Sequence, residues 1–306
     1  MALPLKARIA GNPSTPTQML EMFALSDEIE VRMNVAGNPS TPVKLLRVLA
    51  KDKDTRRGVA VNPSTPVEIL KTFADDPEAR MSLCFNPSTP KEILNVLAKD
   101  EDVYIRYHVA HNSSTPAQTL ITLAKDEGKG VSGCVARNPS TPVELLMVLA
   151  NDVVTRYHVA HNSSAPTDLL ELFSIDQDNG VRGGVSHNPA TPKSLLEVLA
   201  KDKSVFVRGG VAENPSTPPQ LLRVLAKQKK MREHVAKNPS CPIDLLTVLA
   251  KDENRDVRYR VGGNPSTPVE ILEEMSLDTL LSGSLPYSVA ANPSTPIHIL
   301  MDLANR

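Results

Sequence analysis

Leucine stands at positions 20, 46, 70, 94, 120, 146, 170, 196, 222, 246, 272 and 300, and three residues after each comes Leu, Phe or Met. This i, i+3 spacing is that of a buried stripe on a short helix. The next residue is Ala in ten places and Ser in two, small enough for close contact with a neighbouring helix. Eleven residues before each of these leucines a second apolar position recurs, Val in ten of twelve cases, as at Val35 and Val109. Between the two apolar positions the chain is polar and turn-forming, reading Asn-Pro-Ser-Thr-Pro or a close variant twelve times. The pattern predicts two short helices per repeat, joined by one recurring turn.

The motif asparagines are Asn12, Asn38, Asn62, Asn86, Asn112, Asn138, Asn162, Asn188, Asn214, Asn238, Asn264 and Asn292, spaced by 24 or 26 residues except for a last step of 28. A period in that range marks a solenoid, because one helix pair cannot bury its apolar face alone and a stack can. The repeat continues from residue 5 to residue 304, so a single repeat domain, 1–306, replaces the two domains that length alone suggests. The expected class is all-α, built of helix–turn–helix repeats.

Within the motif, Thr is placed to be the N-cap of the second helix and the following Pro to occupy its first position, where a missing N–H costs nothing. Nine units add Glu, Gln or Asp at the third position, as at Gln18, Glu68 and Glu144, which suits a capping box. The Pro after the Asn biases that Asn away from helical geometry and so ends the first helix. On this reading the motif is punctuation.

Two polar columns accompany it. Arg stands six residues before the Asn in nine units (Arg32, Arg56, Arg80, Arg106, Arg156, Arg182, Arg208, Arg232 and Arg258), and Asp stands two residues after the small Ala or Ser in nine linkers (Asp52, Asp76, Asp100, Asp126, Asp152, Asp176, Asp202, Asp252 and Asp278). The planar guanidinium fork suits a structural ladder in which each Arg bridges carboxylates or helix ends of neighbouring units. Net charge over the whole chain is −1, but the six residues before each Asn hold 15 basic and 2 acidic residues. Removing the nine ladder arginines and Lys6 leaves only about +3 there, so a phosphate-binding face depends on the ladder being unpaired. Aromatic residues make up 3% of the chain and Trp is absent, which weakens base stacking. Cys84, Cys134 and Cys241 lack metal-ligand spacing and occupy slots held elsewhere by small residues, so they read as reduced fillers. No segment approaches the roughly 18 apolar residues of a membrane span, and the expectation is a cytoplasmic chain without membrane contact.

The run Val-Arg-x-x-Val-Ala-x-Asn-Pro-x-Thr-Pro-x-x-x-Leu-x-x-Leu-Ala-x-Asp, seen for instance from Val207 onward, resembles the leucine-rich repeat variant family, and its Asp…Val-Arg part is similar to HEAT repeats. The resemblance implies a right-handed superhelix of alternating α- and 3₁₀-helices. A described member of that family carries an N-terminal cysteine cluster holding an iron–sulfur centre; nothing here corresponds to it, and no cofactor is carried over.

Functional candidates lie where the repeat is irregular. Positions five, four and one before each Asn hold no preferred residue type, and positions four and one converge on one surface as i, i+3 neighbours. They place Tyr107, His108, His111, Arg137, Tyr157, His158, His161, His187, His234, Tyr259 and Arg260 on an aligned stripe that suits partner recognition. Arg-Tyr-His-Val-Ala-His-Asn-Ser-Ser occurs at both 106–114 and 156–164. Each His-x-x-His is a candidate metal pair, but the two pairs stand two units apart, about 16–20 Å at usual helix spacing, and cannot share one ion. No metal site is assigned. The pairs Gly183-Gly184 and Gly209-Gly210 either let a partner approach the backbone or are slack. Motifs for nucleotide cradling, zinc hydrolysis or a nucleophile elbow are absent. The expected function is a non-catalytic scaffold for an extended protein or peptide partner. The alternatives are a nucleic-acid-binding solenoid and a structural unit that self-associates end to end.

Overall fold

A computed structural model describes residues 5–277 and 285–305. Every element among them is helical: twelve pairs of short α-helices and one 3₁₀ turn, Lys229–Met231. In each pair we call the helix before the motif A and the helix after it B; in repeat 6 these are Val131–Arg137 and Val143–Leu149. The A helices are themselves α-helical, from four residues in repeat 4 (Arg80–Leu83) to nine in repeat 5 (Val103–His111), so the alternation with 3₁₀ helices implied by the family resemblance is not what the A helices adopt.

The motif does more than punctuate. The Asn138 amide donates to two carbonyls of the preceding repeat, Ala110 O at 2.7 Å and Asn112 O at 2.8 Å, while its Oδ1 accepts from Ser140 N at 2.8 Å. The Ser140 hydroxyl donates to Ser113 O of the same preceding repeat. Asn38, Asn62, Asn162, Asn188 and Asn214 repeat the arrangement, each fully buried or nearly so. The last carbonyls of an α-helix have no partner within it; here the Asn of the following repeat supplies one. A side-chain amide offers two donors and one acceptor on a rigid plane, so one Asn closes its own turn and staples two repeats.

Thr is not the N-cap. The Thr141 hydroxyl points back and donates to Val135 O of helix A at 2.5 Å, and Thr41, Thr65, Thr115 and Thr217 do the same in their own repeats. The cap position belongs to the second Pro: Pro142 has φ −56° and ψ 143°, and its carbonyl receives the first helical bond from Leu146 N. That geometry is where a Pro ring is comfortable, and Thr before Pro is driven to extended backbone, which carries its side chain away from the B helix. No side-chain cap bond forms at this position, and the acidic third residues do not close a capping box.

Successive A helices pack shoulder to shoulder. A Cβ placed on Gly58 would stand 2.7 Å from Ala36 Cβ in the preceding A helix, and one on Gly184 would stand 2.7 Å from Ala160 Cβ. B helices contact A helices more than one another. The core between the layers is the recurring apolar set, with Leu46, Leu120, Leu146 and Leu196 on B and Val35, Val109 and Val135 on A all completely buried.

The chain forms two compact units, residues 94–245 and residues 1–93 together with 246–306. In the second of these the two chain ends meet. Asn12 donates to Ala290 O at 2.7 Å and to Asn292 O at 2.9 Å, the same bonds that Asn38 and Asn138 make to the repeat before them. Arg8 lies over the Tyr287 ring at 5.3 Å. This unit therefore stacks its repeats in the order 11, 12, 1, 2, 3, 4, and the stacking faces of repeats 1 and 12 cover each other rather than standing open to a second copy.

Candidate surface on the A helices of repeats 5 to 10

Nine of the stripe residues, from Tyr107 to His234, fall in the 94–245 unit, and the A helices bring most of them into contact. Tyr157 meets His158 edge-on at 5.1 Å between ring centroids and His161 at 4.6 Å. His161 stacks on His187 at 5.9 Å with 19° between the planes, and His187 meets Phe206 at 5.6 Å. The result is a run of rings across repeats 7, 8 and 9. One repeat pair earlier, Tyr107 meets His108 edge-on at 5.1 Å. Tyr259 and Arg260 belong to helix A of repeat 11, Arg255–Gly263, in the other unit; Tyr259 is half-buried and Arg260 exposed.

Glycines make the run fit. A Cβ on Gly184 would come within 2.7 Å of the His161 ring, one on Gly210 within 2.6 Å of His187, one on Gly133 within 2.8 Å of His158 and one on Gly183 within 2.1 Å of Phe206. Each ring occupies the space a side chain on the adjacent A helix would need. The glycine pairs are thus neither slack nor open backbone: they are ring seats.

The rings are held as well as seated. His161 Nδ1 lies 3.0 Å from Tyr157 O and His187 Nδ1 lies 2.8 Å from Gly183 O, so in each the Nδ1–H tautomer donates to a helix carbonyl. Burial pushes the His161 pKa down to about 4, aided by the nearby charge of Arg137. His158 and His111 are lowered for the same two reasons, and His108 by burial and His111. These imidazoles are neutral at pH 7, with the exposed Arg137 as the cation among them. The Tyr107 hydroxyl donates to the buried Cys134 thiol, which holds the phenol above its ordinary pKa.

Further along, His234 Nδ1 sits 2.8 Å from Glu213 Oε1 and Lys237 Nζ 2.8 Å from Glu213 Oε2. The His234 bond, with Lys237 behind it, draws Glu213 down to about 2. Phe206, Cys134 and Glu213 were not among the sequence candidates. Glu213 occupies the column one before its Asn and was legible there; Phe206 lies eight before, outside the columns that vary. Among the described residues no group of three or more His, Cys, Asp or Glu could hold a metal ion.

The arginine and aspartate columns flank this surface. Arg106 binds Asp126 through Nε at 2.7 Å and Nη2 at 3.1 Å while its Nη1 donates to Asp100 O and Glu101 O. Arg182 repeats this with Asp202, Asp176 O and Gln177 O, and with 8% of its side chain exposed it is closed to any other partner. Arg32 with Asp52, Arg56 with Asp76 and Arg156 with Asp176 lie at 3.6, 3.0 and 3.6 Å. Arg32, Arg56, Arg106 and Arg182 thus tie the linker entering their repeat to the linker leaving it. Arg208 and Arg258 hold the entering linker through Asp202 O and Asp252 O, and Arg232 reaches Ala226 O. Repeat 6 has Ser132 in place of Arg, and Asp152 turns instead to the Thr155 hydroxyl at 3.0 Å. Asp100 and Asp252 accept from the backbone of Asp102 and Asn254, and Arg80 lies at the start of helix A of repeat 4. Asp278 lies outside the described residues.

Residues 209–265, which carry two complete motifs, match the sequence profile of the Leucine Rich Repeat Variant domain. Over that stretch the chain is similar to the leucine-rich repeat variants. A solved structure described as a leucine-rich repeat variant with a novel repetitive protein structural motif aligns with 78% of this chain and 83% of its own, at 22% identity and a TM-score of 0.32. No curated protein matches. Among the described residues no helix is long and apolar enough to cross a membrane.

Proposed function

We propose that this leucine-rich repeat variant is a non-catalytic scaffold that binds an extended polypeptide along the A helices of repeats 5 to 10. The observation that carries the reading is the run Tyr157, His161, His187, Phe206, in which the two imidazoles are fixed by backbone bonds and they and Phe206 are seated on glycines before any partner arrives. Ordered rings cost little entropy on binding, which is why aromatic anchors dominate interfaces. Phe206 is 48% exposed and Tyr107 37%, so both offer apolar area to a partner. Arg137 and Lys237 add direction at either end.

A polypeptide is favoured over nucleic acid because the ladder guanidiniums of Arg106 and Arg182 are already spent on Asp126 and Asp202. Partner capture from native extract, with and without nuclease, tests the proposal when run beside the double variant Tyr157→Ala/Phe206→Ala. The expected result is capture that survives nuclease and 300 mM salt, on the order of twice physiological ionic strength, and is lost in the variant. Capture that vanishes with nuclease and falls steeply with salt, together with dependence on Arg137 and Lys237, would instead assign a nucleic-acid ligand.

A further inference from the structure

Where an imidazole overlies a glycine of the next A helix at repeats 7 to 9, repeats 2 and 3 carry a glycine in both places, and a cavity of about 460 Å³ opens there. It is lined by Gly37 and Gly58 together with Met33, Asn34, Arg57 and Phe85. The register says what it lacks. The residue one before the Asn of repeat 7, His161, lies over the glycine four before the Asn of repeat 8, Gly184; His187 lies over Gly210 in the same way one repeat later. The equivalent pair between repeats 2 and 3 is Gly37 and Gly58.

The backbones superpose in kind. Gly58 faces Ala36 Cβ at 2.7 Å, as Gly184 faces Ala160 Cβ at 2.7 Å, so the A helices approach equally closely at both places. Yet a Cβ on Gly37 would meet nothing nearer than Val61 Cγ2 at 3.8 Å, so the place from which His161 and His187 extend their rings is open here. The chain has the seat without the ring. Around the seat stand groups that favour a flat, electron-rich ring over a branched aliphatic one. They are the thioether of Met33, the half-exposed ring of Phe85 and the guanidinium of Arg57, which is anchored by the Glu78 carboxylate and by Glu78 O at 3.1 Å.

We propose that the Gly37–Gly58 seat receives one aromatic side chain of a partner polypeptide, in the position that His161 and His187 fill from within the chain at repeats 7 to 9. The site lies in the unit of residues 1–93 and 246–306 and stands or falls independently of the surface on repeats 5 to 10. N-acetyltyrosinamide, titrated into the ¹⁵N-labelled chain, should shift the amide resonances of Gly37 and Gly58, whereas N-acetylleucinamide should bind at least about fivefold more weakly. Gly37→His should fill the seat from within and abolish the tyrosinamide shifts at Gly58. Phe85→Ala, a substitution at a half-exposed position, should weaken them severalfold, which keeps the test open should the histidine variant fold poorly. Equal shifts with the leucine probe, no shift at Gly37 and Gly58 with the tyrosine probe, or undiminished binding by a folded Gly37→His chain would each overturn the proposal.

Discussion

A single asparagine shows how much of the fold rests on one side-chain amide. Asn138 satisfies two helix-end carbonyls of the repeat before it and one N–H of its own turn. Asn138→Ala should cost on the order of 3 kcal/mol, since each buried carbonyl left unpaired costs about 1–3 kcal/mol. Asn138→Asp should cost more than Ala despite its matching shape, because it sets a carboxylate against the same two carbonyls; a urea midpoint for Asp at or above that for Ala would count against the staple. Thr141→Val should cost about 1 kcal/mol by losing the bond to Val135 O, with Thr141→Ser largely sparing it. Were Thr the cap of helix B, loss of far-UV helicity would accompany the change; none is expected. The sequence made Asn, Thr and Pro conspicuous but read Thr as the cap of helix B, a place that Pro holds. Capping is a local pattern, whereas the Asn amides bond to residues 24–28 positions back, a distance no local rule covers.

At the level of the helix, the A segments carry the chain's individuality and the B segments its uniformity. The apolar stripe of B and the repeat period were fully legible, because burial demands the same Leu in every repeat. Which variable residues on A touch was legible only in part: i, i+3 spacing put His158 and His161 on one face, but their seating on Gly133 and Gly184 depends on packing between repeats. That packing makes the ring and the glycine one unit. Gly183→Ala should destabilise repeat 8 by about 1–3 kcal/mol through its clash with Phe206, and Phe206→Ala in the same chain should recover most of the loss, since no other group stands that close. The same seating sets a pH dependence. An unfolded His161 takes up a proton near pH 6.5, while the folded ring refuses it until about pH 4. Stability is therefore complete above pH 6.5 and falls as pH falls through that window, by on the order of 2–3 kcal/mol from this ring. His161→Phe should flatten the stability profile between pH 6.5 and 4; an unchanged slope would place the titration elsewhere.

The unit of residues 1–93 and 246–306 differs from an open row of repeats where the ends of the chain meet. In an open stack repeat 1 has no predecessor, its Asn would have only water to bond, and replacing that Asn would cost little. Here Asn12 is buried, with 2% of its surface exposed, and holds Ala290 O and Asn292 O as firmly as the interior staples hold theirs. Asn12→Ala should accordingly lower the urea midpoint as much as Asn138→Ala does, although the two lie in different units and at very different distances from a chain end. Sedimentation should at the same time show one species at all concentrations in the unaltered chain, since the faces that would drive end-to-end growth are covered by each other. A midpoint for Asn12→Ala indistinguishable from that of the unaltered chain would mean that the bonds between repeats 12 and 1 contribute nothing in solution. Concentration-dependent growth of the unaltered chain would add that their faces are free. The two measurements are independent, and the first is the sharper, because it reads the same side-chain chemistry at the end of the sequence and in its interior.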